Sequence, residues 1–336
     1  MMDQRDIARI ARVSSATVSR VLNGSTLVKP ATAERVRRVI EERKFIPNGS
    51  AAALRYGKSS SYGLIIPDIT NPFFSEFIRS FQEILAVKNR DVLMASLDHH
   101  ASRMQESIRR MMVRRVDGIA LLAAEIESEP IEALVLNRVP LVTMDRRQTG
   151  PGLSDIAINN VSGMNEALKH LQALGHRRIA YIGGDSGLTI SDHRRAAFIK
   201  AVKRVGLVAE PALLREGNYR ISGGEAAMRE ILAMKTRPTA IVTANDLTAI
   251  GVLRVLHQSG CPVPQTFSVV GFDDIELSDV IYPPLTTLRL SRQELSETFV
   301  TALEALSRGP RTAGKQYTVG TRLVVRESTG PAPRGC

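Results

Sequence analysis

The chain has 336 residues, 43% of them hydrophobic and 24% charged, and a formal net charge of +11, which is enough apolar sequence for two or three packed units. No apolar run approaches the roughly 20 residues of a membrane span, and polar and charged residues begin at Asp3, so no secretion signal is expected. The two cysteines, Cys261 and Cys336, make neither a disulfide framework nor a zinc set, which argues for a reducing, cytoplasmic setting. Charge is unevenly placed. Residues 1–58 hold twelve Lys/Arg against five Asp/Glu, +7 of the net +11, and such a concentration suits a polyanion or a solvated basic helix.

Asp3 to Ala11 (DQRDIARIA) reads as a short amphipathic helix with Ile7, Ala8, Ile10 and Ala11 apolar, capped by Asp3. A second helix is predicted after Ser14, in VSSATVSRVLNG. Steps of about 100° per residue put Val18, Val21 and Leu22 on one face, and Ser15, Ala16, Ser19, Arg20 and Asn23 on the other. Ser14 is its N-cap and Asn23-Gly24 its left-handed stop. Two short helices joined by a tight turn make a helix-turn-helix. The outer face of the second carries small or hydrogen-bonding side chains and one arginine, and can lie flush in a major groove about 12 Å wide. A third helix is expected over ATAERVRRVIEERKF, packing Val36, Val39 and Ile40 on the second and closing with Phe45, before Pro47 stops it.

These residues resemble the headpiece of the LacI/GalR regulators: DIARIARVSSATVSRVLNG, the third helix, then IPN and AAALR, over residues 3–58. The resemblance implies a DNA-binding domain at 1–46 and a hinge at 47–58. It implies Ser15, Ala16 and Arg20 at base edges, with Thr17, Ser19 and Asn23 on phosphates. In the hinge it implies Leu54 as a wedge between base steps of the minor groove, with Arg55 beside it. Ala52 stands where an arginine is frequent in the family, and Arg55 could compensate.

From Tyr62 the chain alternates apolar runs with helical patterns. Strands are predicted at 62–67, 91–96, 118–123, 140–145, 155–159, 178–184, 240–246 and 267–274, with helices such as 74–88, 102–115, 161–174, 191–205 and 222–234. This alternation specifies doubly wound parallel sheets in two similar lobes, about 59–158 with 290–317 and about 159–289 with 318–330. The last residues, 331–336, are expected to be disordered. Ligands of such sheets bind beyond the carboxyl ends of the strands, where Asp68, Asn71, Asp145-Arg146, Asn245-Asp246 and Asp273-Asp274 lie. Asn71 and Asp246 also suit helix caps.

This second region resembles the periplasmic sugar-binding fold, and ribose-type binding proteins in particular. Asn71-Pro72-Phe73-Phe74 matches their aromatic opening motif, and Asp145, Arg146, Arg194, Tyr219, Asn245 and Asp273 match positions that hold sugar hydroxyls or cover the ring. Leu290 departs from the pattern, in which glutamine is common, so a sugar, sugar acid or sugar phosphate is expected rather than ribose as such. The resemblance implies a homodimeric, effector-controlled transcription regulator, a repressor of carbohydrate use on a palindromic operator. The alternatives are a cytoplasmic sugar-binding protein and a sugar-metabolising enzyme. The six histidines have no metal spacing, no nucleophile–base pair stands out, and GGDSG at 183–187 lacks both dinucleotide and Walker patterns. No catalytic residue, metal or cofactor is therefore expected.

Overall fold

A computed structural model describes residues 2–22, 24–45, 59–98, 100, 102–122, 134, 137–309 and 312–333. They form two units, divided at Ser59/Ser60. In the first, α1 (Gln4–Ile10), α2 (Ser15–Leu22) and α3 (Pro30–Glu42) enclose Ile7, Ala8, Ala11, Val18, Val21, Ala33, Val36 and Val39. Asp3 caps α1: its carboxylate accepts from the amides of Arg5 at 2.7 Å and Asp6 at 2.9 Å, and Asp6 accepts from the Asp3 amide in return. Ser14 caps α2 by accepting from the Thr17 amide at 3.1 Å. The third helix ends at Glu42, three residues before its predicted end. Lys44 adopts a left-handed φ of 47°, and Phe45 folds back on the core.

The second unit runs β1 (Ser61–Ile66), α4 (Pro72–Val87), β2 (Asp91–Ser96), α5 (Ser102–Val113), β3 (Ile119–Leu121), β4 (Leu141–Met144), β5 (Leu153–Asn159), α6 (Asn160–Ala173), β6 (Ile179–Ile182), α7 (Thr189–Arg204), β7 (Leu214–Arg215), α8 (Ile221–Leu232), β8 (Ala240–Thr243), α9 (Asp246–Gln258), β9 (Ser268–Asp273), α10 (Leu277–Val280), β10 (Thr286–Leu290), α11 (Arg292–Leu306) and β11 (Gln316–Val324). Strand order is β2-β1-β3-β4-β5-β11-β10-β9-β8-β6-β7. All pairs are parallel except β10 with β11. The near-continuous apolar runs of β1, β3, β4, β6, β8 and β9 are buried because helices cover both faces of the sheet.

β11 joins the two halves of this unit. Gln316–Gly320 pair parallel with β5, whereas Thr321–Val324 pair antiparallel with β10. The strand is missing from the predicted elements because its residues alternate exposed and buried and carry little apolar character. In the first half, α4 and α11 cover the sheet through Phe77, Phe81 and Phe299. The Phe77–Phe81 rings stack and the Phe77–Phe299 rings meet edge to face, both at 5.6 Å. In the second half, α6 and α7 cover one face through Met164, Leu168, Leu171 and Phe198. On the other face, α8 and α9 bring Met228, Ile231, Val252 and Leu256. These two helices approach so closely that a Cβ on Gly251 would lie 2.1 Å from the Ile221 carbonyl oxygen.

The chain end departs from the expected disorder. His176 is fully buried and hydrogen-bonded to Thr239 Oγ1 (2.8 Å), Ser268 Oγ (2.9 Å) and the Gly330 carbonyl (3.0 Å). Beyond it the Ala332 amide donates to the Leu174 carbonyl at 2.8 Å. Residues 331–333 thus finish α6, using a carbonyl the helix leaves unpaired.

Phe77 is fully buried between two aromatic partners. Phe77→Ala should therefore lower the unfolding free energy by about 3–5 kcal/mol, read as a shift in urea midpoint. A loss below about 1 kcal/mol would show that α4 is not a packed core element.

Candidate functional site

The first candidate is the outer face of α2. Ser15, Ala16 and Arg20 are exposed, and Thr17 is half-buried. Ser19 does not share that face. It is 7% exposed, because it lies only about 60° round the helix from Leu22 and takes its place at the rim of the apolar side. Asn23, Leu54 and Arg55 lie outside the described residues. Beyond α2, Arg35, Arg37, Arg38, Arg43 and Lys44 are exposed along and after α3, so the positive charge of this unit sits on solvated positions. Leu27 is 82% exposed in the connection between α2 and α3.

The second candidate is a cavity of about 200 Å³ between the two halves of the second unit. The chain segments leaving β1, β2, β3, β4 and β5 on one side, and β6, β7, β8 and β9 on the other, converge on it. Seven of the nine predicted effector residues line it: Asn71, Phe73, Phe74, Arg194, Tyr219, Asn245 and Asp273. Asp145 and Arg146 are not in the lining. Asp145 is 1% exposed and turned aside. Its carboxylate accepts from the Ile158 amide at 3.2 Å and meets His193 Nδ1 of α7 at 2.9 Å. Arg146 Nε donates to Gln148 at 3.0 Å, and burial pulls its guanidinium pKa down. The strand-end position of both residues was legible from sequence; the partner 48 residues away that redirects Asp145 was not.

Arg194 is the centre of the polar wall. It is 5% exposed and its guanidinium lies 3.9 Å over the Phe272 ring. One terminal nitrogen donates to the Ala244 carbonyl and the other lies 3.3 Å from Asp273 Oδ1. Its Nε is buried without a protein partner, and an unmet buried donor of this kind is costly. Asp273 takes a φ of 111° at the end of β9, a conformation sparsely populated outside glycine and held only when the surroundings require it. Burial pushes its carboxyl up to about 6, against the lowering effect of Arg194 and Arg292.

Other polar residues of the lining are committed to the fold. Asn71 Oδ1 caps α4 by accepting from the Phe73 amide at 3.1 Å. Asn245 Oδ1 accepts from the amide and hydroxyl of Thr248, and its Nδ2 donates to the Tyr219 carbonyl at 2.8 Å. The Tyr219 hydroxyl bonds Ser191 Oγ at 2.9 Å, and its ring packs where a Cβ on Gly184 would come within 2.0 Å. Asp68 accepts from Thr70 and pairs with Arg220 at 3.5 Å across the mouth of the cavity. Asp246, fully buried beside the site, accepts from Thr287 Oγ1 (2.5 Å), Ser278 Oγ (2.8 Å) and the Ile275 amide (2.9 Å). Burial pushes its carboxyl up to about 7. It is a brace for the β9–β10 connection and does not line the cavity.

Sequence reasoning passed over Thr70, His100, Asn218 and Arg220, and the apolar residues Leu97, Leu122, Met144, Ile158, Leu188, Ile190 and Leu247. Several are the last residue of a strand or the one after it. That position, rather than polarity, was the signal that could have found them. Among the described residues no cluster of His, Cys, Asp or Glu could hold a metal ion, and no helix is long and apolar enough to cross a membrane.

Comparison with known proteins agrees with both sites. Residues 4–48 match the family model described as bacterial regulatory proteins, lacI family, and residues 168–329 match a periplasmic binding protein-like domain. The chain is similar to the ribose operon repressor of Escherichia coli strain K12, with 34% identity over 90% of this chain and 92% of that protein. Among solved structures it is similar to the Lac repressor dimer bound to operator and the anti-inducer ONPF. That match has a TM-score of 0.87 and 27% identity over 98% of this chain and 99% of the other. A LacI family regulator from Enterococcus faecium with bound ribose matches with a TM-score of 0.71 and 25% identity, over 81% of this chain and 99% of that one. The headpiece motif, the two-part sheet with its interlobe cavity and the identity across nine-tenths of the ribose operon repressor converge: the chain belongs to the lacI family of bacterial regulatory proteins.

Proposed function

We propose that this protein is a cytoplasmic repressor of a carbohydrate-utilisation operon. It binds a palindromic operator as a homodimer and is controlled by a small polyhydroxylated effector in the interlobe cavity. The observation that carries the DNA-binding part is the exposed face of α2, where Ser15, Ala16 and Arg20 stand clear of the core on a helix capped at Ser14. Small side chains at 15 and 16 let the helix approach base edges, and Arg20 supplies the planar, two-pronged donor that matches the O6 and N7 of guanine. Thr17 and Asn23 hold phosphates, which set register without reading sequence. Ser19, tucked against the core, contributes through its position at the rim of the face. Leu54 and Arg55 of the hinge reach the minor groove. Two copies on a two-fold axis read two half-sites, which is what makes the operator a palindrome.

The effector part rests on Arg194 and Asp273. A buried guanidinium with an unmet donor stands beside a carboxylate, and together they offer donor and acceptor to neighbouring hydroxyls of a ring. Phe73, Phe74 and Tyr219 supply aromatic surface to the same cavity. The effector controls DNA binding only if it binds one of the two states, on or off DNA, better than the other. In the sugar-sensing members that the chain resembles, release by an inducer is the expected sense.

Two measurements test this reading. Operator DNA selected from a random pool by the wild-type protein should bind Arg20→Ala more weakly by about 1–3 kcal/mol. The melting temperature should stay unchanged, because the side chain is exposed. Unchanged affinity for the selected operator would remove Arg20 from the reading face. For the cavity, effector affinity should fall as pH falls through about 6, the value to which burial raises Asp273, since the protonated carboxyl no longer accepts from the effector. At one pH unit below that point the loss is roughly tenfold. Calorimetric titration between pH 8 and 5 reads it, and a pH-independent affinity would exclude Asp273 as an acceptor.

A further inference from the structure

The two walls of the cavity differ in kind. The second half of the unit delivers Arg194, Tyr219, Asn245 and Asp273. The first half delivers Leu97, Leu122, Met144 and Ile158, one from the carboxyl end of each of β2, β3, β4 and β5, and β10 adds Leu290 at its own end. Phe73 and Phe74 of α4 continue that wall, their rings edge to face at 5.3 Å. Asp145 and Arg146, the residues that would have made it polar, are turned away to His193 and Gln148. Of the polar side chains in the described lining, Asn71, Asn218, Tyr219 and Asn245 hold backbone groups or one another's neighbours. Asp68 and Arg220 pair at the mouth. The polar capacity directed inward is concentrated on Arg194 and Asp273, at one end.

Resting on the reading that this cavity holds a sugar-like effector, we propose that the effector is a glycoside. Its sugar ring presents a hydroxyl-bearing edge to Arg194 and Asp273 and carries an apolar or aromatic substituent, O- or N-linked, that fills the Leu97–Leu122–Met144–Ile158–Leu290 wall. A free pentose or hexose has hydroxyls on every side. Those turned to the apolar wall would be stripped of water with no partner in exchange, which is unfavourable for each group. An aglycone turns the same wall into a source of affinity, because its apolar surface leaves water there. The site also discriminates by the asymmetry that governs such pockets: a hydroxyl pressed on an unreceptive wall counts against the ligand more than a missing contact does.

The test is calorimetric titration of the full chain with matched pairs: ribose against adenosine and uridine, glucose against phenyl β-glucoside, and galactose against phenyl β-galactoside. At least one substituted compound should bind tenfold or more tightly than its free sugar. Leu290→Gln, which puts an amide on the apolar wall, should narrow that ratio at least threefold. Met144→Gln serves the same purpose if the Leu290 variant does not fold. A free sugar that binds as tightly as its glycosides in every pair overturns the inference but leaves the sugar-effector reading standing. Silence across all pairs, with the protein folded and binding its selected operator, overturns both. A folded Leu290→Gln and Met144→Gln that each keep the full ratio would show that the wall does not touch the substituent, which also overturns it.

Discussion

A guanidinium that is 5% exposed sets the terms for the ligand-binding half of this molecule. Arg194 stays charged at any physiological pH, so its burial has to be compensated where it sits. The compensation comes from three sequence-distant places: the Ala244 carbonyl at the end of β8, the Asp273 carboxylate at the end of β9, and the face of Phe272 one residue before it. Removing any one leaves a charge stranded in low dielectric, which is more damaging than never having buried it. Arg194 therefore fixes the relative position of α7, β8 and β9 at their cavity ends. Its one unmet nitrogen is what those three elements hold out to a ligand.

Asp273 is coupled to a second buried carboxylate. Each of Asp246 and Asp273 raises the other's neighbourhood in negative potential, and burial moves both upward, to about 7 and about 6. Asp246 is surrounded by donors from Thr287, Ser278 and the Ile275 amide, and Gly271 is required opposite it, since a Cβ there would lie 2.1 Å from its Oδ1. Asp273 has the arginine instead. The two residues are alike in sequence position, each at the carboxyl end of a strand. Their surroundings divide them into a structural brace and a ligand-facing acceptor.

That division shows where sequence reasoning stops. Local devices were readable: the Asp3 and Ser14 caps, the packing of Val18 and Val21 against Val36 and Val39, and strands whose apolar runs are buried on both faces. Strand ends as the place for ligands were readable too, because that follows from parallel topology. Side-chain direction was not. Ser19 sits at the border of two helix faces, where a step of about 100° decides nothing until the third helix is in place. Asp145 looks like a sugar ligand until His193 arrives from α7. Asn71 and Asn245 carry the amide chemistry of a ligand, yet their oxygens close helix N-termini. β11 carries too little apolar periodicity to announce itself, since half its residues are exposed, and its role comes from pairing partners that no local pattern encodes.

The same strand constrains how the two halves can move. The chain passes between them at Asn159–Asn160, at Ser291 between β10 and α11, and within β11 at Gly320–Thr321. Thr321 ties two of these passages together. Its hydroxyl donates to the Asn159 carbonyl at 2.9 Å and accepts from the Gly163 amide at 3.2 Å, while its carbonyl accepts from Ser162 Oγ at 2.7 Å. A Cβ on Gly163 would come within 2.7 Å of that hydroxyl, so the junction is close-packed. Any rotation of one half against the other has to be absorbed here, with little slack. Far from this junction the halves meet through side chains alone, at Asp145–His193 and Asp68–Arg220. Those pairs are remade more easily than a strand ladder. A ligand between Arg194 and the apolar wall therefore acts on the side where the halves are joined by ion pairs, and leverage about the β11 junction carries its effect to the rest of the unit. It biases the equilibrium only by the difference in its contacts between the two arrangements.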